Sequence, residues 1–333
     1  MTIHRIAVFV LVCIAWLPLA AGQESQRQDT NQRISEQQKQ SSQKESQPFV
    51  CVLGVAQDAG YPQAGCQKAC CRPAWEDYRV RRMPSSVAIV DPKSGERWLL
   101  DCSWQLPDQL HLLNQLHPRK DSPGIDGIFL THGHIGHYTG LMHLGREVMG
   151  AKKVPVYATP KMENFIRKNG PWDLLVELEN IELKSLKADE AIKLNERISI
   201  TPIKVPHRGE YTETVGFVVQ GPKRKALYLP DIDKWSRWER SIEKLIGEVD
   251  VAFLDATFFA NGEIPGRDMS QIPHPFVEES ILRFRELSAT DRAKVHFIHL
   301  NHTNPALDPK SDAAKTIGRA GMNLAEQGKV YGL

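Results

Sequence analysis

The segment Thr-His-Gly-His-Ile-Gly-His at residues 131–137 constrains this chain more than any other feature. It directly follows an apolar run at residues 127–130, which is typical of a buried strand. Neutral imidazole is the commonest protein ligand for zinc-like metals. His132 and His134 alternate as strand residues do, so they point the same way, and His137 follows one turn later. The segment therefore predicts a loop that holds one metal ion, or two ions close together.

Polar side chains also stand at the ends of other strand-like runs. His207, Asp231 and His299 each lie at or just after such a run. Loops at strand ends commonly build the active sites of sheet-based folds. A single histidine in such a place is more often structural. Several strand ends that carry His or Asp in one chain favour a shared site.

The spacing of apolar residues predicts two β-rich halves, each closed by helices. Helical spacing is found at Leu106–Leu116, Pro160–Lys168, 235–246 and 311–327. Two such halves suit two sheets packed face to face, with helices outside. No linker rich in Pro, Gly or Ser divides the second half. We therefore expect one domain over residues 49–333.

The first 48 residues have the pattern of an export signal and a linker. Arg5 precedes an apolar run at residues 6–19, and Ala20-Ala21-Gly22 offers small residues for cleavage, which predicts a signal peptide at 1–22. The run is short for a membrane span, so an uncleaved anchor is the less favoured alternative. Residues 23–48 contain nine Gln and five Ser and are predicted to be disordered. The protein is then exported, periplasmic or secreted, without stable membrane insertion after cleavage.

The charge balance bears on the class of partner. The formal net charge is +2 at pH 7 over 333 residues, which argues against nucleic acid as a partner. A small-molecule substrate, including an anionic one, is compatible with this balance.

Three of the cysteines form a compact cluster, Cys66, Cys70 and Cys71. In an exported protein a disulfide is the expected use of such a cluster. A structural zinc ion is the alternative, although adjacent cysteines seldom serve one tetrahedral site well. We expect a local structural feature away from catalysis, with a disulfide favoured over zinc.

The motifs together resemble the metallo-β-lactamase superfamily over residues 49–333. The resemblance rests on the T-H-x-H-x-x-H loop followed by a later His, an Asp and a His. A nearer similarity is to the family of pyrroloquinoline-quinone (coenzyme PQQ) biosynthesis protein B. It rests on Val-Pro-His-Arg-Gly-Glu-Tyr at 205–211, Leu-Pro-Asp-Ile-Asp-Lys-Trp at 229–235 and His-Leu-Asn-His-Thr-Asn-Pro at 299–305. The resemblance implies an αββα sandwich with a metal site on one edge.

The resemblance also implies two neighbouring metal positions that share one carboxylate. The implied ligands are His132, His134, His207 and Asp231 for the first position, and Asp231, His137 and His299 for the second. The superfamily carries an Asp directly before the last histidine of the loop, where this chain has Gly136. This change weakens the second metal, or hands the place of the missing ligand to water, His302 or another carboxylate. We therefore expect one tightly bound Zn²⁺ and a weaker second position, with Mn²⁺ or Fe²⁺ as alternative metals. On this interpretation Gly136→Asp raises the affinity of the second position, provided that the added side chain fits the backbone there.

Three further residues have roles implied by the resemblance or by their place in the sequence. Asp101 ends a strand and resembles a residue that orients a loop histidine. His274 stands where related phosphodiesterases carry a proton-donating histidine. His302 is a further candidate, as a metal ligand or as a residue that supports one.

These features predict a metal-dependent hydrolase that uses a metal-activated water on a small ester or phosphodiester substrate. Asp231 would hold the water and receive its proton, and His274 would protonate the leaving group. The alternative is a non-hydrolytic protein of the PQQ-biosynthesis-B type, which acts in maturation, carriage or transport of a quinone cofactor. The ligand candidates favour the enzyme, whereas Gly136 and the export signal favour the alternative.

Overall fold

Fourteen strands of the computed structural model, which describes Gln47–Leu333, pair into two sheets. The strands are β1 (Phe49–Gly54), β2 (Ser86–Asp91), β3 (Glu96–Leu100), β4 (Gly127–Phe129), β5 (Val154–Ala158), β6 (Ile181–Ser185), β7 (Ile192–Lys193), β8 (Ser199–Val205), β9 (Thr214–Gln220), β10 (Lys225–Leu229), β11 (Val251–Asp255), β12 (Val295–Ile298), β13 (Asn323–Leu324) and β14 (Val330–Gly332). Their orders are β14-β1-β2-β3-β4-β5-β6 and β13-β12-β11-β10-β9-β8-β7.

Both faces of the central strands are buried, and this explains their continuous apolar runs. In β1, Val50 and Val52 belong to the core between the two sheets, where they join residues such as Phe217. Cys51 and Leu53 point the other way, into a second core under the helices. The predicted αββα sandwich in a single domain is confirmed.

The helices cover the outer faces of the sheets. They are α1 (Arg72–Glu76), α2 (Leu106–Leu116), α3 (Ile135–Tyr138), α4 (Pro160–Lys168), α5 (Trp172–Glu177), α6 (Ile242–Glu248), α7 (Val277–Phe284), α8 (Ala289–Ala293) and α9 (Asp312–Arg319). The predicted bounds of α2 and α4 are confirmed. Leu106, Leu110 and Leu113 of α2 are buried, as the spacing of leucines predicts.

Two predicted helices are longer than the helices in the structure. The prediction of one helix over 235–246 is wrong, because Ser241 accepts a hydrogen bond from the Lys244 backbone N–H and starts α6 there. The prediction over 311–327 is also too long. The chain turns at Gly321, whose φ of 77° is a conformation that glycine adopts without strain.

Strand direction places the loops that matter for function. β1 and β3 run the same way because β2 is antiparallel to both, and β4 is parallel to β3. In the other sheet β8, β10, β11 and β12 share one direction. The loops that follow these strands therefore leave the carboxyl ends of each sheet together.

The predicted signal at 1–22 and nearly all of the predicted linker at 23–48 lie outside the described residues. Within residues 47–333, no helix has the length and apolar character needed to cross a membrane.

Candidate metal centre

The loops at these strand ends bring the predicted ligands together. The loop after β4 carries the three clustered histidines, and the loops after β8, β10 and β12 carry the later His, Asp and His. Asp101 follows β3, and Asp58 follows β1. Asp101 and His299 have positive φ angles of 63° and 67°, which is unusual for residues other than glycine. Such backbone strain is often found at functional sites.

The first group of ligand atoms belongs to His132, His134, His207 and Asp231, and these atoms lie within 4.8 Å of one another. His132 Nε2 is 2.8 Å from His134 Nδ1 and 3.4 Å from Asp231 Oδ2. His207 Nε2 is 3.6 Å from Asp231 Oδ1. Three imidazole nitrogens and one carboxylate oxygen form a donor set that zinc accepts.

The second group shares Asp231 and adds Asp58, His137 and His299. His137 Nε2 lies 2.9 Å from Asp231 Oδ2 and 3.1 Å from Asp58 Oδ1. His299 Nε2 is 3.3 Å from each of the same two oxygens. The two groups thus form a pair of positions joined by one carboxylate.

Asp58 is a member of the second group that the sequence did not name. The sequence leaves open whether water, His302 or another carboxylate takes the place of the ligand missing at Gly136, and the structure places the Asp58 carboxylate there. A Cβ atom at Gly136 would lie 2.4 Å from the Asp58 Cα, so a side chain there collides with the backbone of the β1 loop. The condition on which Gly136→Asp was predicted to raise affinity, that the added side chain fits the backbone, is therefore not met. The one signal for Asp58 in the sequence is its position just after a strand.

Hydrogen bonds to the outer nitrogens fix which nitrogen of each histidine faces the centre. His137 Nδ1 donates to Asp101 Oδ2 at 2.7 Å. Thr131 Oγ1 donates to Asp101 Oδ1, so it must accept from His132 Nδ1, 2.9 Å away. The lone pair of His132 is therefore on Nε2, toward the centre.

The same arrangement recurs around His299 and, with the nitrogens exchanged, around His134. Thr257 Oγ1 donates to Asp255 and lies 3.0 Å from His299 Nδ1. His134 Nε2 is 3.1 Å from Glu210 Oε2, which turns Nδ1 inward. Sequence reasoning did not identify Asp58 or Glu210 as parts of the site.

The donor atoms fit a cation better than they fit one another. With these tautomers, His132 Nε2 and His134 Nδ1 direct two lone pairs at each other over 2.8 Å. Such lone pairs repel unless a positive ion lies between them. His207 Nε2 is buried without a hydrogen-bond partner among the described residues, and it faces Asp231 Oδ1 across 3.6 Å. Buried polar atoms of this kind are rare and call for an explanation, which a bound ion supplies.

The electrostatics agree with this fit. Burial, with the nearby charge of His137, holds the pKa of His132 well below its ordinary value, so this ligand is neutral. Burial alone would raise the pKa of Asp231, but the surrounding histidines outweigh it and hold that pKa well below its ordinary value. Burial opposes a charge on His137, yet the adjacent carboxylates raise its pKa well above the usual range. The negative charge of the carboxylates that keeps an extra proton on His137 also favours a metal cation in place of that proton.

His274 lies beside this centre. Its Nδ1 is 2.8 Å from Asp255 Oδ2 and 3.4 Å from Asp231 Oδ1, and the three side chains form a third cluster. Burial by itself would lower the pKa of His274, but Asp255 outweighs burial and raises it to about 9. His274 is thus protonated at neutral pH, in the form required of an acid.

The cysteine cluster is not a disulfide, and it includes His302. Cys66, Cys70 and Cys71 are free thiols, so the predicted disulfide is wrong. His302 Nδ1 lies 3.2 Å from Cys71 Sγ and 3.8 Å from Cys70 Sγ, and the four side chains form a group able to hold a metal. His302 thus belongs to this group and not to the centre at Asp231. Burial raises the pKa of Cys71 to about 12, so a thiolate there needs a cation.

Comparison with known sequences gives one family and a set of relatives. The family described as "Beta-lactamase superfamily domain" matches residues 96–299, more than half of the chain. Coenzyme PQQ synthesis protein B of Methylorubrum extorquens (strain PA1) is 28% identical over 305 residues, 84% of this chain and 98% of the relative. The protein of that name from Xanthomonas euvesicatoria pv. vesicatoria is 25% identical over 307 residues, with the same coverage of 84% and 98%.

Solved structures share the fold. Zinc-bound PqqB from Methylobacterium extorquens gives a TM-score of 0.73 at 24% identity, covering 86% of this chain and 100% of its own. A diphosphatase from the PhnP family gives 0.59 at 23% identity, covering 86% and 97%. Unliganded yeast PDE1 gives 0.55 at 12% identity, covering 86% and 100%.

Proposed function

Because this chain belongs to the β-lactamase superfamily, we propose that it is a metal-dependent hydrolase acting on a small ester or phosphodiester. The observation that carries the proposal is the convergence of two groups of ligand atoms on Asp231, beside the buried pair His274 and Asp255. Two metal positions and an adjacent acid are parts that metal-assisted hydrolysis uses. The fold shared with a PhnP-family diphosphatase supports this choice of reaction.

Zinc is the metal we propose for the first position. Its three imidazoles and one carboxylate match the ligands that zinc accepts, and the similar PqqB structure is zinc-bound. The second position has two imidazoles and two carboxylates, a harder donor set that also accepts Mn²⁺ or Fe²⁺. For the group of Cys66, Cys70, Cys71 and His302 we propose a structural zinc ion.

Each protein group has a distinct task in this reaction. When bound, a zinc-like ion lowers the pKa of water to about 7 and polarises a carbonyl or phosphoryl oxygen. Asp231, buried and ionised, would orient the attacking water by accepting its hydrogen bond. His274 Nδ1–H donates a hydrogen bond to Asp255 Oδ2, so Nε2 is the nitrogen that can protonate a leaving group.

A substrate screen on the purified full chain tests the proposal. Protein saturated with zinc should hydrolyse at least one compound from a panel of small carboxylic esters, phosphodiesters and diphosphates. Chelator-treated protein serves as the control and should be inactive. Fully metal-loaded protein that turns over none of the panel contradicts the proposal.

A second candidate function comes from the relatives named for coenzyme PQQ synthesis. On this alternative the chain binds or carries a quinone cofactor and does not hydrolyse esters. Tight binding of PQQ, measured by fluorescence titration, together with silence in the hydrolysis screen would favour it. Hydrolysis without PQQ binding favours the enzyme.

The loss of activity caused by substituting His274 should depend on the leaving group of the substrate. We expect His274→Asn to lower kcat on an alkyl ester by roughly 100- to 10,000-fold, because a poor leaving group needs a proton. The kcat on a p-nitrophenyl ester of the same acid should fall far less, since nitrophenolate leaves without being protonated. Steady-state kinetics on the two esters measure this difference.

His111→Asn is the matched control, since His111 is exposed on α2 and lies outside the cluster. It should leave both substrates unaffected, and metal content should stay constant in both variants. Equal losses on both esters for His274→Asn count against its role as an acid.

A further inference from the structure

We infer that Asp58 has taken over the ligand role that a carboxylate at position 136 would have in the second metal position, and that Gly136 is the residue that leaves room for it. This inference rests on the metal centre of the proposed function, but not on hydrolysis. The ligand then comes from the loop after β1, and not from the histidine loop.

The space around Gly136 supports this replacement of a ligand at position 136 by Asp58. An ideal Cβ on Gly136 would lie 2.6 Å from Asp58 Oδ1 and 2.7 Å from Asp58 Cβ, as well as 2.4 Å from its Cα. A side chain at position 136 and the Asp58 side chain would thus occupy the same volume. Gly136 lies within α3, where its neighbour His137 holds the second position.

The backbone fixes Asp58 independently of the histidine loop. Its carbonyl oxygen accepts a hydrogen bond from Trp104 Nε1 at 2.8 Å. The preceding Gln57 donates its N–H to the carbonyl of Leu300, and Leu300 donates to Val55. Leu300 directly follows His299, so these bonds set the register of Asp58 against the other ligand.

The exchange keeps the number of carboxylates at the second position. Asp58 Oδ1 lies 3.1 Å from His137 Nε2 and 3.3 Å from His299 Nε2, at distances suited to a shared ion. Asp58 is one of four side chains whose ligand atoms all lie within 4.8 Å of one another. The Asp58 carboxylate is therefore placed to share an ion with both histidines.

Two variants test the inference through metal content. Asp58→Asn removes the charge at constant size, and Gly136→Ala pushes against the Asp58 backbone without adding a ligand. We expect each to weaken the second position by roughly tenfold to 100-fold or more. Zinc per chain is counted by elemental analysis of full-length protein at a series of chelator-buffered free zinc concentrations. A Co²⁺–thiolate charge-transfer band reports the cysteine group separately.

Matched controls make the result specific. Gly318→Ala changes a glycine in α9 whose added Cβ would meet nothing within 4 Å. Asp312→Asn makes the same chemical change on an exposed side chain of that helix. Both should bind as many zinc ions as the unaltered protein.

The outcomes separate this inference from the proposed function. Loss of one zinc ion in both Asp58→Asn and Gly136→Ala, but not in the controls, supports the exchange even if no substrate is hydrolysed. Unaltered zinc binding in folded Asp58→Asn overturns it, even if the protein is an active hydrolase. Unaltered binding in folded Gly136→Ala overturns the part assigned to Gly136.

Discussion

Asp231→Asn is expected to reduce zinc binding at both histidine groups together, and to abolish hydrolysis with it. Asp231 belongs to the first group, to the second group and to the cluster with His274. Removing its charge leaves the first group with imidazoles alone and deprives the two positions of their common ligand. Since loss of a mere partner of a ligating histidine typically weakens metal binding 10- to 100-fold, we expect more than about 100-fold here. Zinc titration with a competing chelator measures the affinity.

Asp233→Asn is the control for this prediction. Asp233 lies in the same loop, and its Oδ1 is 3.3 Å from the outer nitrogen of His207. It should weaken zinc binding within the 10- to 100-fold range of such partners, and only at the first position. If Asp231→Asn binds zinc as well as Asp233→Asn does, Asp231 is not the shared ligand.

Cys66→Ala is expected to destabilise the fold strongly while the histidine groups keep their zinc. Structural zinc contributes about 10–16 kcal/mol of apparent binding free energy in small zinc-finger domains. Even a fraction of that exceeds the loss from a small core cavity, about 0.8 kcal/mol per buried methylene. Asp58 has its own anchors at Trp104 and Leu300, so the centre should survive in the folded fraction. Thermal unfolding and zinc content together measure the effect.

Cys51→Ala is the matched control, because Cys51 is buried in the sandwich and lies outside the cysteine group. It should retain all zinc and lower Tm only slightly. A Cys66→Ala protein as stable as Cys51→Ala, with unchanged zinc, would show that the cysteine group holds no structural metal. A large loss of turnover per folded molecule would show instead that the group supports catalysis.

Much of the centre could be predicted because its ligands follow a simple rule of position. All of the predicted ligands stand at strand ends, namely the histidines of 131–137, His207, Asp231 and His299. The ends of strands can be predicted from the pattern of apolar residues. Sheet topology then brings the ends together. The same rule indicates Asp58, but nothing in the sequence pairs it with Gly136, because that contact depends on backbone approach over 78 residues of chain.

The cysteine group shows a different limit. Adjacent Cys70 and Cys71 argue against one tetrahedral site if they stay on an extended strand, whose side chains alternate. The structure instead places Cys71 at the start of α1, in a helical backbone conformation. The fourth member, His302, comes from 231 residues further along the chain than Cys71, so local patterning could not reveal it. Its three-residue separation from His299 makes assignment to the neighbouring centre the natural prediction.

The shortest strands could not be predicted from the sequence either. β7, β13 and β14 have two or three residues each, too few for a period to be read. They form only because a longer neighbour provides the hydrogen bonds, as β1 does for β14. They lie at the sheet edges, and none of them carries a residue of the candidate metal centre.

The central claim is that this protein hydrolyses its substrate with metal held at Asp231. It is tested most directly by adding zinc stepwise to metal-free full-length protein while following hydrolysis of the best substrate in the screen. We predict no turnover without metal and a rise that reaches its plateau when the two histidine groups are filled, with Asp231→Asn inactive throughout. Turnover that is independent of added zinc, or that persists in Asp231→Asn, would contradict the account.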